Sequence, residues 1–323
     1  MSIYVDVRFV EALSFAGDAA TVLADAWSHS SALHYNEEYL RWQLSFPGPF
    51  PAPAVAAFCE NRPVGFAAAT HRRVRYQSRV FDALVVSFVA VQSDFRGRGV
   101  AHRLYDVLLG RLREFKLPVI TFAINGSGGE RAISRAYPEA GFILRSIGEY
   151  PVYGFVVRPD AAEPKWAVVA GDNLPPGSAP SVSGCYDRLI WSDPDSALLR
   201  HYLSDPRGRV YLAPGPKGPV ASVVHADFVG AGGVEYVTTI DSVWSTGTDV
   251  ALLTGLAASA SQLWPGKHGN LKVVHFTNLA AFERSSLRSA GFRQISTRFK
   301  GYLAVVDSAD PLLEATGVNL EIV

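Results

Sequence analysis

Residues 96–101, with the sequence RGRGVA, combine the residue types that bind a phosphate group. Two arginines supply positive charge, and two glycines let the backbone pass close to a bulky ligand. The apolar repeat that follows predicts a helix, and the first N–H groups of a helix have no partner within it. An anion such as a pyrophosphate is therefore predicted to bind at Arg96, Gly97, Arg98, Gly99, Val100 and Ala101.

Two well-known phosphate-binding motifs, the P-loop and the dinucleotide-binding fingerprint, do not match the spacing of this segment. A P-loop has Lys and then Ser or Thr after its last glycine, where this chain has Val100 and Ala101. A dinucleotide fingerprint has Gly or Ala three residues after its second glycine, where this chain has His102. A glycine-rich turn without a ligand stays open as the simplest alternative.

A buried strand and an amphipathic helix must position the loop. Leu84–Val91 is nearly all apolar and partly β-branched, which predicts a central strand. Val100–Phe115 places its apolar side chains on one face, which predicts a helix packed on the sheet. After this helix the sequence predicts a strand at Val119–Asn125, a helix at Glu130–Ala140 and two last strands within Ile143–Val157, separated at Gly148-Glu149.

The spacing Arg96-x-x-Gly99-x-Ala101, five residues after the valine that closes the strand, resembles the acetyl-CoA pyrophosphate loop of the GNAT superfamily of N-acetyltransferases. The segment from Tyr137 to Phe142 resembles the family's Tyr-x-x-x-Gly-Phe motif. The predicted element order matches the GNAT layout across residues 2–158. The resemblance implies an α/β (α+β) fold with a central mixed, mostly antiparallel sheet flanked by helices. It also implies transfer of an acyl group from acetyl-CoA, or another acyl-CoA, as co-substrate.

The same resemblance implies roles for residues outside the loop. In GNAT relatives the central strand splays from its neighbour, and a backbone N–H there faces the thioester oxygen. This chain has Val89, Ala90 and Val91 at that level, with Val89 and Val91 on one face. Asn125 is implied as a hydrogen-bond partner of pantetheine, and Tyr137 as the acid that protonates the leaving thiolate. Asparagine at a strand end is also a common turn residue, and buried tyrosines usually serve packing.

The general base stays open, because many relatives place a glutamate on the central strand where this chain has none. The candidates are Ser87, His71, Glu149 and a water chain. Aromatic side chains are predicted to form the acceptor pocket, although aromatics at helical spacing are more often core residues. These are Tyr35, Tyr39, Trp42, Tyr150 and Tyr153.

The second half of the chain repeats motifs of the first. Leu40-Arg41-x-x-Leu44-Ser45-x-Pro47 recurs as Leu199-Arg200-x-x-Leu203-Ser204-x-Pro206, and Ala140-Gly141-Phe142 recurs as Ala290-Gly291-Phe292. We therefore predict two tandem GNAT-like domains, at 1–158 and 165–323, joined by a linker at 159–164. The second is predicted to be degenerate, since Asp249 stands near the loop position and Leu287 replaces the motif tyrosine. Its role is open between a lobe that closes over the substrate and a scaffold.

Composition narrows the class of protein. Thirty Lys and Arg balance thirty Asp and Glu, so no overall charge favours nucleic acid. Two cysteines and scattered histidines give no metal-ligand spacing, so no metal is predicted. Without a signal peptide or membrane span in the sequence, we expect a cytoplasmic protein. Its expected partner is a small-molecule amine, and a homodimer stays open as its oligomeric state. The alternatives are a longer acyl-CoA or acyl carrier protein as donor, transfer to an oxygen, or a non-catalytic CoA-binding regulatory module.

Overall fold

The structure, a computed structural model, describes residues 4–28, 32–33, 35–157, 166–169, 189–192, 196–213, 220–230, 233–244, 250–263, 272–277 and 283–320. The helices of these residues are α1 (Ala16–Trp27), α2 (Glu37–Leu44), α3 (Val100–Phe115), α4 (Gly128–Glu139), α5 (Ser196–Leu203), α6 (Val250–Gln262) and α7 (Arg284–Ser289). The predicted linker at 159–164 and Asp249 lie outside the described residues.

The strands belong to one 15-stranded sheet. They are β1 (Asp6–Val10), β2 (Ala32–Leu33), β3 (Ala54–Cys59), β4 (Arg62–Tyr76), β5 (Arg79–Val91), β6 (Val119–Ile124), β7 (Ile143–Val157), β8 (Ala167–Val168), β9 (Leu189–Ser192), β10 (Val210–Ala213), β11 (Val220–Gly230), β12 (Gly233–Trp244), β13 (Lys272–Thr277), β14 (Arg293–Val305) and β15 (Gly317–Asn319). The main order is β1-β3-β4-β5-β6-β14-β7-β13-β12-β11-β10-β8. Most neighbours are antiparallel, and the parallel pairs among the described strands are β5–β6, β12–β13 and β9–β15. The predicted mixed, mostly antiparallel sheet with flanking helices is confirmed.

Local sequence signals explain where the first elements begin and end. The Asn36 side chain accepts the N–H of Tyr39 at 2.8 Å and so caps α2. Glu60 and Asn61 take left-handed φ angles of 51° and 63° in the turn that joins β3 to β4. Helix α3 begins directly after Gly99, and its predicted bounds are confirmed.

Strands β7 and β14 each pair with a strand of the other half. β14 lies between β6 and β7, with Phe299 opposite Ile124, while β7 pairs on its other edge with β13. The prediction of two strands separated at Gly148-Glu149 is wrong, because β7 is a single strand. Gly148 has a φ of 142°, but residues on both sides of it find partners in β14, so the chain bends there without reversing.

Helices α2 and α5 meet through equivalent positions of the sequence repeat. The rings of Trp42 and His201 stack at 5.1 Å with an angle of 1° between their planes. The Trp42 indole donates to the His201 carbonyl at 2.8 Å, and His201 Nε2 donates to the Trp42 carbonyl at 2.9 Å. The two residues are 159 positions apart, the offset that relates the two copies of the motif.

Buried apolar residues lie on both faces of the sheet. One cluster joins α3 and α4 to the first strands, and a second joins α1 and α2 to helix α6 and strands β11 and β12. A third packs the end of the chain, from Leu312 to Leu320, against β5 and β7. Within the described residues, no helix has both the length and the hydropathy of a membrane span.

Candidate functional site

An opening in the sheet lies between β5 and β6. The two strands pair only from Leu84 opposite Val119 to Val86 opposite Thr121. Phe88 follows with a φ of 62°, and the register of β5 against β4 shifts there. Positive φ is rare for an aromatic residue, and such strain often marks a functional site. Beyond Val86 no described strand pairs with this edge of β5, so its peptide groups face the opening.

Residues after the bulge alternate between the two faces of the sheet. Val89 and Val91 pack with the cluster under α3, whereas Ala90 packs with the cluster under α1 and α2. This is the predicted arrangement, with Val89 and Val91 on one face. Ser87 is half-buried and lies opposite Ala68, directly before the bulge.

The glycine loop has the backbone of an anion cradle. Gly97 and Gly99 have left-handed φ angles of 72° and 75°, and a Cβ at either position would meet no atom within 4 Å. The loop is therefore open on the side where a Cβ would stand, and it leads into the first turn of α3, whose N–H groups have no partner within the helix. Val100 is buried and Ala101 is half-buried, and both have apolar side chains, so only their backbone groups are suited to bind an anion.

The two arginines of the loop have different surroundings. Arg96 donates to the carbonyl oxygens of Val91 and Ala26, which fastens the loop to the end of β5 and to α1. The Arg98 guanidinium lies 5.8 Å from the centre of the Phe95 ring. The Arg96 side chain therefore holds the loop in place. Arg98 is the arginine of the loop whose charge is better placed to interact with a ligand.

Tyr137 lies beside the last paired residues of β5 and β6. Its side chain is fully buried, next to Tyr105 and Phe142, and no described residue makes a hydrogen bond of normal geometry to its hydroxyl. Burial raises the pKa of Tyr137 well above its ordinary value, Tyr105 raises it further, and the Thr121 hydroxyl offsets part of the shift. Thr121 Oγ1 itself donates to the Val86 carbonyl at 3.4 Å. The phenol is therefore protonated at neutral pH and lies where the opening begins.

Asn125 follows β6 at the far end of the opening. It is exposed, and its backbone N–H donates to the Arg298 carbonyl at 2.9 Å. Its side-chain amide donates to Glu149 at 3.4 Å, a long hydrogen bond that a ligand can replace.

The described contacts bring none of the candidate bases to Tyr137. Both ring nitrogens of His71 are engaged, Nδ1 with the Pro47 carbonyl at 3.1 Å and Nε2 with Asp82 at 2.9 Å. Glu149 contacts Asn125, and Ser87 has no hydrogen bond among the described residues. Ser87 is the candidate closest along the chain to the bulge.

Three of the predicted pocket aromatics form a row that starts at the bulge. Tyr35 lies 5.3 Å from Phe88 and 5.6 Å from Tyr39, and Tyr39 lies 5.6 Å from Trp42. Tyr153 belongs to the same cluster. Tyr150 does not, because it lies in the cluster at the end of the chain, where its hydroxyl donates to the Ile147 carbonyl. The prediction that Tyr150 lies in the same pocket as the other four aromatic residues is therefore wrong.

A buried ion-pair network continues this row into the second half. The Arg207 guanidinium lies 4.0 Å from the centre of the Tyr39 ring and pairs with Asp205 at 2.8 Å. Arg209 pairs with Asp205 at 3.2 Å and with Asp241 at 2.6 Å. Two arginines and two aspartates balance in charge, so the network needs no further ion.

Asp241 lies at a bulge of β12 in the second half, as Phe88 lies at the bulge of β5 in the first. β12 pairs with β13 only from Thr238 to Ile240, and its register against β11 shifts at Asp241. The bulge and the opening therefore recur there, with a buried ion pair at the bulge. The sequence pointed to Asp249 as the residue that excludes a donor, and Asp241 had no local signal because its partner Arg209 is 32 residues away.

Three side chains of types that bind metals also lie together, although their spacing in the sequence does not indicate a metal site. His102 lies 3.6 Å from Asp106 and 3.3 Å from Glu139, on the exposed surface of α3 and α4. Glu139 also pairs with Arg135 at 2.9 Å, which already supplies a cation. We interpret this group as surface ion pairs.

The comparisons with known proteins agree with this geometry. Residues 18–126 match the family model described as an acetyltransferase (GNAT) domain. The chain therefore contains a GNAT domain. The match runs from α1 to the loop after β6, so it includes the opening and the glycine loop and ends before Tyr137. Comparison by sequence with curated proteins gives no match.

Solved structures share the fold over nearly the whole chain. The N-myristoyltransferase of Saccharomyces cerevisiae, solved with myristoyl-CoA, has a TM-score of 0.66 and 11% identity, over 94% of this chain and 79% of that one. A putative acetyltransferase from Pyrococcus horikoshii has a TM-score of 0.59 and 13% identity, over 99% and 97% of the two chains. A GCN5-related N-acetyltransferase from Anabaena variabilis has a TM-score of 0.57 and 13% identity, over 94% and 73%. Likeness at this identity concerns the fold.

Proposed function

We propose that this protein is a CoA-dependent N-acyltransferase that moves an acetyl group from acetyl-CoA to a primary amine of a small molecule. One observation carries the proposal: the opening between β5 and β6 has the glycine loop at one end and the Tyr137 phenol beside its start. A donor with a pyrophosphate, an extended arm and a thioester fits this order of groups. The backbone N–H groups of the loop would hold the pyrophosphate, and the free edge of β5 would pair with the arm.

In the proposed reaction the amine nitrogen attacks the thioester carbonyl carbon directly. A backbone N–H within Val89–Val91 stabilises the oxygen as it gains negative charge. The C–N bond forms, the C–S bond breaks, and Tyr137 gives its proton to the departing thiolate. The amine releases one proton to a base or to water. Because burial disfavours a phenolate, we expect Tyr137 to regain a proton from solvent as soon as the thiolate is neutralised.

The acceptor is proposed to be a small amine, such as an amino sugar or an amino-acid-like metabolite. Tyr35 and Tyr39 form an aromatic wall next to the bulge, and Arg207 beneath Tyr39 is already paired with Asp205. A wall of this kind offers apolar contact and no excess negative charge for a lysine-rich protein tail. No metal is part of the proposed mechanism.

We also propose that the two halves are tandem copies of one domain and that only the first is catalytic. The reciprocal exchange of β7 and β14, the stacked pair Trp42 and His201, and the recurring bulge at Asp241 support this. The left-handed φ angles of Gly141 and Gly291, 81° and 93°, agree with it. In the second copy Leu287 is buried at the position that corresponds to Tyr137.

Amine-dependent release of free thiol from acetyl-CoA tests the proposal. A panel of amino sugars, amino acids and polyamines should contain at least one amine that accelerates thiol release. Myristoyl-CoA belongs in the donor panel, because an N-myristoyltransferase solved with myristoyl-CoA shares the fold over 94% of this chain. Binding of a donor without thiol release for any amine would contradict the enzyme proposal and favour a regulatory module.

A further inference from the structure

The loop after β6 is held in place by β14, a strand of the second half of the chain. The Asn125 N–H donates to the Arg298 carbonyl at 2.9 Å, and the Gly126 N–H donates to Glu130 Oε2 at 2.6 Å. The other oxygen of Glu130 accepts from Lys300 Nζ at 2.9 Å and from the Tyr302 hydroxyl at 2.8 Å. Glu130 thus joins β14 to the loop.

Three donors converge on this one carboxylate. The Lys300 ammonium, the Gly126 N–H and the Tyr302 hydroxyl together lower the pKa of Glu130 to about 2. Glu130 is therefore ionised at every pH at which the protein would work. A single exposed ion pair contributes little to stability. Several charge-assisted hydrogen bonds to one carboxylate also fix the orientation of its side chain.

The loop lies where a ligand in the opening must pass. β6 is paired to β14 up to Ile124, but it has lost β5 after Thr121. An extended arm between the two strands therefore ends against residues 125–127. Glu130 also stands in the first turn of α4, the helix that carries Tyr137 about two turns later.

We propose that Lys300 and Tyr302 are positioning residues for the thioester arm of the donor. By holding Glu130 they fix the loop at 125–127 and the start of α4, so the second half of the chain completes the donor site of the first. The inference rests on the proposed function, because it assumes that acetyl-CoA binds in the opening. It assigns the second half a role in donor binding beyond that of a scaffold.

The test compares two probes on the full chain. Acetyl-CoA has the pantetheine arm, whereas adenosine 3′,5′-bisphosphate keeps the nucleotide end of CoA and lacks the arm. We expect Lys300→Met and Tyr302→Phe each to raise the Kd of acetyl-CoA by about tenfold through lost preorganisation, while the Kd of the bisphosphate changes by less than about twofold. Lys300→Arg keeps the charge and a donor and should restore most of the acetyl-CoA affinity.

Arg111→Met is the matched control. It removes a surface ion pair with Glu114, towards the other end of α3, and should change neither Kd. Amide hydrogen exchange gives a second measurement: residues 125–130 should exchange faster in Lys300→Met, while acetyl-CoA still protects residues 97–101.

The outcomes separate the two proposals. Equal weakening of both probes, or an unchanged acetyl-CoA Kd together with unchanged exchange at 125–130, would overturn the positioning role. Failure of the wild-type chain to bind acetyl-CoA would overturn the proposed function itself. Tyr302→Phe removes only a hydroxyl from a buried ring, so its effect on the two Kd values tests the positioning role if Lys300→Met does not fold.

Discussion

The Tyr137 hydroxyl is a buried polar atom without a hydrogen-bond partner among the described residues. Leaving such a group unpaired costs free energy, so a ligand that pairs with it gains that contribution on binding. A thiolate leaving group at the start of the opening is such a ligand in the proposed reaction. An enzyme needs this proton, whereas a binding module does not.

Replacing Tyr137 by Phe should lower kcat by about a hundredfold, the usual range for loss of a general acid, and leave the Kd of acetyl-CoA nearly unchanged. The ring stays packed against Tyr105 and Phe142, so folding should be preserved. Steady-state kinetics of thiol release and a donor titration measure the two effects. An unchanged kcat would show that Tyr137 serves packing alone.

The residues of the site differ in how far the sequence reveals them. The glycine loop is a continuous segment whose spacing is visible in the sequence, and its left-handed glycines have the expected backbone. The binding of Arg96 to the Ala26 carbonyl joins residues 70 positions apart, and no local pattern indicates it. The left-handed Phe88 is equally hidden, because an aromatic residue in a strand pattern predicts ordinary extended backbone.

Helices α2 and α5 form a contact between the halves, and we expect its contribution to stability to depend on pH. Burial lowers the pKa of His201 to about 4, although its hydrogen bond to the Trp42 carbonyl raises it. An unfolded histidine titrates near 6.5, so between about pH 6.5 and 4 His201 binds more protons in the unfolded chain than in the folded one. The free energy of unfolding contributed by neutral His201 is complete above this range and is lost as the pH falls through it.

We therefore expect the stability advantage of the wild-type chain over His201→Gln to be smaller at pH 5 than at pH 7.5. Glutamine keeps an N–H donor and does not titrate, which makes it the appropriate reference. Urea unfolding of both chains at the two pH values measures the difference. An advantage that is equal at both values would show that His201 is protonated to the same extent in the folded and unfolded chains.

Among the elements, α3 was predicted correctly and β7 was not. The bounds of α3 follow from an apolar face and a glycine before its first turn, which are local features. β7 contains a glycine that usually marks a turn, and its partner strand β14 begins about 140 residues later. Since pairing with β14 on both sides of Gly148 keeps the strand extended, only the tertiary structure identifies it.

At the scale of the whole molecule, the network of Asp205, Arg207, Arg209 and Asp241 joins the second half to the aromatic wall of the first. Removing one partner of a buried ion pair leaves an uncompensated charge, so Arg209→Met should lower the free energy of unfolding by about 3–5 kcal/mol. Arg209→Met with Asp241→Leu removes both charges of that pair and should recover part of the loss. Urea unfolding measures both, and a double variant no more stable than the single one would contradict this account.

The measurement that tests the central claim most directly is calorimetric titration of acetyl-CoA into Gly99→Asp and Gly99→Asn. Both side chains tolerate the left-handed φ of Gly99 and reach into open space, so the variants differ by a single charge in the glycine loop. A pyrophosphate held by the first turn of α3 predicts one site per chain in the wild type and a Kd at least about tenfold higher for Asp than for Asn. Equal affinities for the two variants, or a second site of similar affinity, would contradict a single donor site at this loop.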